Sequence, residues 1–340
     1  MHRTALRAAH AAEAAVHALR HLEGSLAHEV VWRSGPVSLR RYAGRGADAA
    51  ATPLLLVTPI INRFRVVDLQ AGTSLVEALV ERGITTLVLD WGDPRAIDRG
   101  VDFEDYVLRW IPRAMSAAGP GQVDLLGYCL GGTLAVLAAA TFPARVRRLV
   151  TLHTPVDFAC ERPHMDLLRR WVDPAWFPVE RLTAAFGNMP GRLIAQGFTW
   201  QRPVEALHKP WRAWERFDQP EFARFFGALE SWNQDPVDVP GAAYRRLIVE
   251  LYRENRLARG AFELGGERVD LSRIACPLLV VTAADDTTCP PAAATALLER
   301  VSTPEPLRRH HQVRGGHVAS VAGPRARASL HQPIAEWLRG

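Results

Sequence analysis

The string LLGYCLGGTL, residues 125–134, decides the fold. It joins an apolar run of strand length to a run of small residues that continues to about residue 141. A continuous apolar run is typical of a strand buried on both faces. Glycines allow a sharp turn and let a helix pack closely against a strand. The string therefore predicts strand, turn and buried helix, with Cys129 at the tip of the turn.

The segments around this string alternate between strand and helix patterns from about residue 53 to residue 155. The predicted strands are PLLLVTP, ITTLVLDWG, VDLLGYC and RVRRLVTLHTP, and the predicted helices are SLVEALVERG, DFEDYVLRWIPRAMSAAG and LGGTLAVLAAATFP. Such alternation indicates an α/β fold with a mostly parallel, doubly wound sheet. Upstream, residues 1–52 predict a helix that ends at Gly24 and an antiparallel hairpin in VVWRSGPVSLRRYAG.

The alternation stops at about residue 157. Residues 157–240 hold six of the ten tryptophans, with many phenylalanines, prolines and arginines, and predict a mainly helical insertion. The sheet pattern returns in CPLLVVTAADD, followed by the helix AAATALLERV, the strand HHQVRGGH and the helix HQPIAEWLRG. We therefore divide the chain into an N-terminal segment (1–52), a split core (53–156 and 241–340) and a cap or lid (157–240).

The composition excludes several other classes of protein. Hydrophobic residues make up 48% of the chain and charged residues 23%, which is a globular balance. The four cysteines form no CxxC pair and no metal-ligand spacing, so we expect thiols, no metal and no resident cofactor. The longest apolar stretch is broken by three glycines and the N-terminus has no apolar core, so we expect no transmembrane segment, no secretory signal and a cytoplasmic location.

The net charge is +5, and Lys209 is the only lysine. The arginine content has two interpretations, a coding bias or attraction to a polyanion such as the phosphates of coenzyme A. No basic run is interleaved with aromatics, so we expect no nucleic-acid partner.

Cys129 occupies the nucleophile position of the G-x-S-x-G elbow that characterises α/β hydrolases, with cysteine in place of serine. The helix that follows has its positive end at the sulfur and favours the thiolate. The alternative is a buried structural cysteine in a glycine turn.

In this fold the acid and then the base follow the nucleophile along the chain. Asp285 and Asp286 come directly after the strand PLLVVTAA, and His317 lies on a glycine loop before the last helix. The competing bases, which lack that loop, are His310, His311 and His331. Alternatively these are turn aspartates and a loop histidine without a catalytic role.

An oxyanion hole needs two backbone N–H groups beside the nucleophile. The Leu130 amide follows Cys129 directly. The second donor should come from the loop after the first central strand, PIIN at residues 59–62, and we assign it to Ile61.

These segments resemble the poly(3-hydroxyalkanoate) synthases in an ordered set of motifs. Similar stretches are GYCLGGT, PIINRFRVVDLQAGTSLVEAL, LVLDWGDP, HTPVDF, SWNQDPVDVPG, YRENRLARG, DDTTCPP and GGHVAS. The resemblance runs from about residue 30 to the end. It places the acid at Asp286 and the base at His317.

The resemblance implies an α/β-hydrolase-fold acyltransferase that polymerises (R)-3-hydroxyacyl-CoA through a Cys129 thioester and releases CoA. The length is similar to that of the short catalytic subunit that works with an accessory subunit, so a homo- or hetero-oligomer and the surface of polyester granules are expected. Trp232, within SWNQD, is the expected pocket wall. Asn62 is a second substrate-binding candidate, although a structural role is the stronger interpretation for it, as for Asp90 and Trp91.

Two residues beside the acid depart from the family pattern. Thr287 stands where the family usually has histidine, and Cys289 where it has an aliphatic residue. These changes are the features that could mark one alternative, a cysteine thioesterase or small-molecule acyltransferase of the same fold. A second, separate alternative is a non-catalytic granule-associated subunit.

Overall fold

The computed structural model describes residues 4–12, 25–46, 48, 51–160, 163–200 and 203–340. Its main feature is an eight-stranded sheet in the order β1-β2-β4-β3-β5-β6-β11-β12. The strands of this sheet are β1 (Glu29–Ser34), β2 (Val37–Tyr42), β3 (Leu54–Val57), β4 (Thr86–Asp90), β5 (Val123–Tyr128), β6 (Val146–Leu152), β11 (Leu278–Ala283) and β12 (Arg308–Val313). Two small two-stranded sheets are formed by β7 (Asn188–Met189) with β8 (Val239–Pro240), and by β9 (Glu263–Leu264) with β10 (Glu267–Arg268).

The six strands from β4 to β12 in the sheet are all parallel to one another. The strand β2 is antiparallel to both of its neighbours, β1 and β4, so that β1 and β2 form a hairpin attached to β4. The predicted mostly parallel α/β sheet is therefore confirmed, and so is the predicted hairpin, whose turn contains Gly35 at a φ of 61°.

Helices cover both faces of the sheet and fill the insertion. They are α1 (described over residues 4–12), α2 (Leu75–Glu81), α3 (Ile111–Ala118), α4 (Leu130–Thr141), α5 (Pro163–Trp171), α6 (Val179–Phe186), α7 (Gly191–Trp200), α8 (Pro203–Arg216), α9 (Pro220–Asn233), α10 (Gly241–Arg246), α11 (Pro291–Thr295), α12 (Ala319–Ala322) and α13 (Gln332–Arg339). Short 3₁₀ segments are Phe64–Asp68, Ala96–Gly100, Pro143–Arg145, Leu271–Arg273 and Glu305–Leu307, and π-helical segments are Asp105–Trp110, Leu247–Arg253 and Arg327–His331.

Two predicted helices differ in detail from the structure. The helix expected over AAATALLERV ends at Thr295, and the following turns are held by bonds between residues three apart, such as Leu297 N–H to the Ala294 carbonyl. The helix expected to begin near residue 102 begins at Phe103 and continues through a π-helical segment, Asp105–Trp110, before α3. The predicted end of the first helix at Gly24 lies outside the described residues.

The core lies on both faces of the central strands. All residues of β3, β5 and β11 are buried, and so are the first eleven residues of α4. A helix buried on every side needs small or apolar residues on every side, which explains why α4 lacks an amphipathic pattern. The packing of α4 beneath the sheet edge fixes the position of the residue that precedes it, Cys129.

Residues 157–240 are mainly helical and lie between β6 and β11, which are neighbours in the sheet. Several large apolar side chains of this segment are exposed, namely Trp176, Phe186, Leu193, Trp200, Leu207 and Trp211. Across the described residues, no helix has the length and apolar character needed to cross a membrane. The proposed boundaries of the three segments stay a prediction.

Candidate active site

Cys129 lies at the turn between β5 and α4 in a backbone conformation that few residues adopt, with a φ of 56° and a ψ of −128°. Positive φ values in residues other than glycine store strain and cluster at functional sites. Only glycine fits at the two positions that follow Leu130. A Cβ at Gly131 would lie 2.3 Å from the Val57 carbonyl oxygen, and a Cβ at Gly132 would lie 1.8 Å from the Thr154 Oγ1. The glycines therefore allow α4 to pack close enough to raise Cys129 at the sheet edge.

Asp286 and His317 come from the loops after β11 and β12. The Nδ1 of His317 lies 2.6 Å from the Oδ2 of Asp286. The other carboxylate oxygen accepts hydrogen bonds of 2.9 Å from the backbone N–H groups of Thr288 and Cys289. The Asp286 side chain is fully buried. Its orientation is thus fixed on both oxygens, and it fixes the imidazole in turn.

The charges of this group stabilise one another. Burial lowers the pKa of His317, but the neighbouring Cys129 and Asp286 outweigh that effect and raise it to about 10. Burial raises the pKa of Asp286, but His317 and the backbone N–H groups hold it below its usual value. An ionised Asp286 next to an imidazolium is the arrangement that these directions favour.

The second ring nitrogen of His317, Nε2, is buried and has no nitrogen or oxygen partner among the described residues, and Cys129 is one of the neighbours that raise the pKa of the imidazole. Cys129, which is 6% exposed, lines the same cavity as His317. Hydrogen bonds between a nucleophile and its base are often long until substrate binds. Nε2 is thus available to take the thiol proton. The structure brings together the three residues predicted as nucleophile, acid and base.

The competing residues have other partners. Asp285 is exposed and exchanges hydrogen bonds with the backbone of Gly315. His310 contacts the Thr282 hydroxyl, and His311 and His331 contact the carbonyl oxygens of Ser329 and Val321. None of these four side chains lines the cavity that contains Cys129.

Of the two predicted oxyanion donors, Leu130 follows Cys129 directly and Ile61 lines the same cavity. Leu130 is the first residue of α4, where backbone N–H groups have no partner inside the helix. Ile61 lines the cavity together with Cys129 and is buried. The assignment of their amides to an oxyanion hole stays a prediction.

The cavity has a volume of about 850 Å³. Cys129 and His317 line it together with Asn62 and Trp232, the two predicted substrate-binding residues. Trp232 is buried, and its Nε1–H donates to the Arg63 carbonyl oxygen at 3.1 Å. The cap contributes most of the remaining wall through Gly191, Ile194, Ala195, Phe198, Thr199, Lys209, Ala213, Glu215, Arg216, Phe222, Phe226, Glu230 and Asn233.

Asp90 and Trp91 hold other parts of the fold together. Asp90 forms an ion pair of 2.8 Å with Arg40, and the Trp91 Nε1–H donates to the Thr58 carbonyl oxygen at 2.8 Å. Neither residue lines the cavity around Cys129.

Thr287 and Cys289 are both close to the acid. The Thr287 hydroxyl is buried and contacts no hydrogen-bonding group among the described residues. Burial raises the pKa of the Cys289 thiol well above its usual range. Cys289 is therefore protonated at neutral pH and does not compete with Cys129 as a nucleophile.

Two aromatic rings that the sequence did not predict lie beside the base. Tyr128 stacks on His317 with ring centroids 5.3 Å apart, and its hydroxyl donates to the His317 carbonyl oxygen at 3.3 Å. The His153 ring lies 5.6 Å from the His317 ring. Tyr128 could have been noted as the variable residue of the elbow, whereas the sequence carries no signal that brings His153 to His317.

Comparisons with known proteins identify the same fold. A family model described as "alpha/beta hydrolase fold" matches residues 64–324. Among solved structures, a thermophilic esterase from Thermogutta terrifontis aligns with a TM-score of 0.52 at 19% identity, covering 92% of this chain and 98% of that one. An N-acyl homoserine lactone degrading enzyme, Est816, aligns with a TM-score of 0.53 at 15% identity, covering 92% and 99%. At these identities the structures show the fold alone.

Relatives with curated names identify the family within the α/β-hydrolase fold. The poly(3-hydroxyalkanoate) polymerase subunit PhaC of Allochromatium vinosum is 31% identical over 91% of this chain and 87% of its own length. The protein of the same name from Haloferax mediterranei is also 31% identical, over 92% of this chain, and this chain spans 64% of its length. A third, from Cupriavidus necator, is 28% identical over 92% of this chain and 55% of its own. With the cysteine elbow in place on an α/β-hydrolase sheet, the chain belongs to the poly(3-hydroxyalkanoate) polymerase PhaC family.

Proposed function

We propose that this protein is an acyltransferase that polymerises (R)-3-hydroxyacyl-CoA into polyester and releases CoA, with Cys129 as the covalent nucleophile. The observation that carries the proposal is the Asp286–His317 pair of 2.6 Å, which lies beside the cysteine of the nucleophile elbow, and this cysteine and His317 line one cavity. A thiol suits transfer between thioesters, because one thioester replaces another at little cost in free energy. The fold and the relatives support the same reaction class. No cofactor is required by this chemistry.

The first step is acylation of Cys129. His317 Nε2 takes the thiol proton, the thiolate attacks the thioester carbonyl carbon, and the oxyanion that forms is held by the Leu130 and Ile61 amides. The carbon–sulfur bond to CoA then breaks, and His317 returns the proton to the departing CoA sulfur. Asp286 orients the imidazole and stabilises its charged form throughout.

The second step is transfer of the acyl group to the 3-hydroxyl of another hydroxyacyl unit. A base removes the hydroxyl proton, the oxygen attacks the Cys129 thioester, and the thiol of Cys129 is regenerated as the ester forms. His317 is positioned to remove that proton. Asp286 could do so directly only if it were reached by substrate, and its side chain is fully buried in this structure.

Water competes with the hydroxyl in the second step, so the cavity must exclude it. Trp232 fills one wall of the cavity, and its ring is fixed by the hydrogen bond to Arg63. We expect Trp232→Ala to raise the ratio of free hydroxyacid to polymer several-fold, because the space left by the indole admits water. Chromatography of acid and insoluble product from the same reaction measures the ratio.

Trp171→Ala is the matched control, because Trp171 is a cap tryptophan that does not line the cavity. An unchanged product ratio in Trp232→Ala, with normal turnover, would show that this side chain does not exclude water.

Two cations of the cap line the same cavity. Lys209 is paired with Glu230, whereas the Arg216 guanidinium stacks on the Phe222 ring at 3.9 Å. A CoA thioester carries several negative charges, and cations at the mouth of a cavity attract them. We expect Arg216→Ala to raise the KM for 3-hydroxybutyryl-CoA about two- to fivefold with little change in kcat, since one exposed cation contributes about a kcal/mol at most.

The KM effect should shrink as salt is added, because exposed charges are screened. Arg273→Ala serves as the control, since Arg273 is exposed and lies outside the cavity. Equal KM values for Arg216→Ala and Arg273→Ala at low salt would show that Arg216 does not contribute to substrate binding.

The function itself is tested by incubation with 3-hydroxybutyryl-CoA while thiol release and product are followed together. Insoluble polyester supports the proposal, whereas free hydroxyacid or a discrete ester identifies a thioesterase or a small-molecule acyltransferase. No release of CoA identifies a non-catalytic subunit. The reaction should be run with and without an accessory subunit, because the proposal includes such a partner, assembly into an oligomer and association with the surface of polyester granules.

A further inference from the structure

A second histidine is buried beside the proposed active site, and the mechanism above does not use it. His153 follows the last residue of β6, has no exposed surface, and adopts a φ of 47°. Residues other than glycine rarely adopt a positive φ, and a backbone in that conformation persists only where its surroundings hold it. Packing or function must therefore account for the backbone conformation of His153.

The contacts of His153 connect it to the loop of His317. Its Nε2 lies 2.8 Å from the Ser320 hydroxyl, at the start of α12. The Ser320 N–H in turn donates to the Gly316 carbonyl oxygen at 3.1 Å, immediately before His317. One hydrogen bond thus joins the end of β6 to the turn that carries the proposed base.

The His153 ring also packs against the rings of that base and its neighbour. Its centroid lies 5.6 Å from His317 and 6.2 Å from Tyr128, which are themselves stacked. Two neighbouring aromatic rings therefore contact the His317 ring, and the Asp286 carboxylate is bound at its Nδ1. These contacts leave the imidazole little freedom to rotate away from Cys129.

His153 is neutral in this setting. Burial lowers its pKa to about 3, with a smaller contribution in the same direction from His317, while Asp286 opposes both. A second cation next to His317 would oppose the imidazolium that the mechanism needs. A neutral ring provides contact and a hydrogen bond without that repulsion.

We propose that His153 is a positioning residue, which through Ser320 holds the 315–320 loop so that His317 Nε2 faces Cys129. This inference rests on the proposed roles of Cys129 and His317. It does not depend on the identity of the acyl group or the acceptor. Its test can therefore be separated from the test of polymerisation.

The test is the rate of alkylation of Cys129 by a small thiol reagent as a function of pH, which requires no substrate. We expect Ser320→Ala and His153→Phe to slow alkylation about tenfold at pH 7 and to move the rising limb of the profile about one pH unit higher, since a tenfold fall at fixed pH on that limb corresponds to one unit. The profile moves to higher pH because a less constrained His317 stabilises the Cys129 thiolate less. Loss of fold stability alone would lower Tm without moving this profile.

His153→Asn is the conservative variant. Asparagine is enriched at positive φ and can still form a hydrogen bond, so it should recover most of the wild-type profile. Ser320→Ala leaves the strained backbone of residue 153 untouched and remains informative if His153→Phe fails to fold. His310→Phe is the matched control, because His310 is exposed and contacts Thr282 on the neighbouring strand.

Superimposable pH profiles for Ser320→Ala and the wild-type protein, both folded, would overturn the inference. If the shift is found but no polyester forms, the positioning role stands and the proposed reaction fails. If polyester forms and no shift is found, the reaction stands and the role of His153 fails.

Discussion

Cys129→Ala is expected to reduce the release of CoA from 3-hydroxybutyryl-CoA by four or more orders of magnitude, as when the nucleophile of a catalytic triad is removed. The reason is that no other group in the cavity can form the thioester. Cys289 is buried and protonated, and burial likewise raises the pKa of Cys276, to about 11. The measurement is a thiol-release assay at saturating substrate. Cys129→Ser should retain little activity, because a serine hydroxyl is a poorer nucleophile at neutral pH.

The matched control is Cys276→Ala, which removes a partly buried thiol from outside the cavity and should leave turnover unchanged. The fold of Cys129→Ala should be intact, because only one sulfur is lost from a turn built by glycines. Turnover close to wild type in the alanine variant would refute the covalent mechanism.

His317→Ala should have the second-largest effect. An isolated cysteine has a pKa of about 8.5 and is only a few per cent thiolate at pH 7. Cys129 and Asp286 raise the pKa of His317 against the effect of burial, so its imidazole is a strong enough base to take the thiol proton. Without the imidazole, alkylation of Cys129 at pH 7 should fall at least about tenfold, and CoA release should fall about a thousandfold or more, since the proton transfers also lose their catalyst.

The pH dependence separates this explanation from unfolding. In His317→Ala the alkylation rate should rise steeply between about pH 7 and pH 10, because the thiol then ionises without assistance. The wild-type protein should show its rise at lower pH. His311→Ala is the control, since His311 contacts the backbone of Ser329 away from the cavity. Identical profiles for His317→Ala and wild type would remove His317 from the role of base.

The features that sequence reasoning predicted are those encoded locally or by chain order. The elbow at Cys129 is specified by ten consecutive residues, so its strand, turn and helix could be predicted together. Asp286 and His317 could be placed because each follows a strand whose parallel neighbours end at the same edge of the sheet. The choice of Asp286 over Asp285 needed the family resemblance, because adjacent residues of one loop differ only in the direction of their side chains.

The features that were missed depend on contacts between distant parts of the chain. His153 meets Ser320 only because β6 and β12 lie on either side of β11, which no local pattern states. Lys209 and Arg216 line the cavity because α8 packs over it, and the periodicity of α8 does not indicate which face turns inward. Such contacts are set by tertiary packing and appear only when the sheet order is known.

A covalent acyl group on Cys129 can be observed by mixing the protein with labelled 3-hydroxybutyryl-CoA, quenching rapidly with acid, and mapping the peptides at low pH by mass spectrometry. We expect one hydroxyacyl unit, sensitive to hydroxylamine as a thioester is, on the peptide containing Cys129 within the first turnover, and none in Cys129→Ala. Label on another residue, or CoA release with no labelled peptide in the first turnover, would exclude Cys129 as the covalent nucleophile.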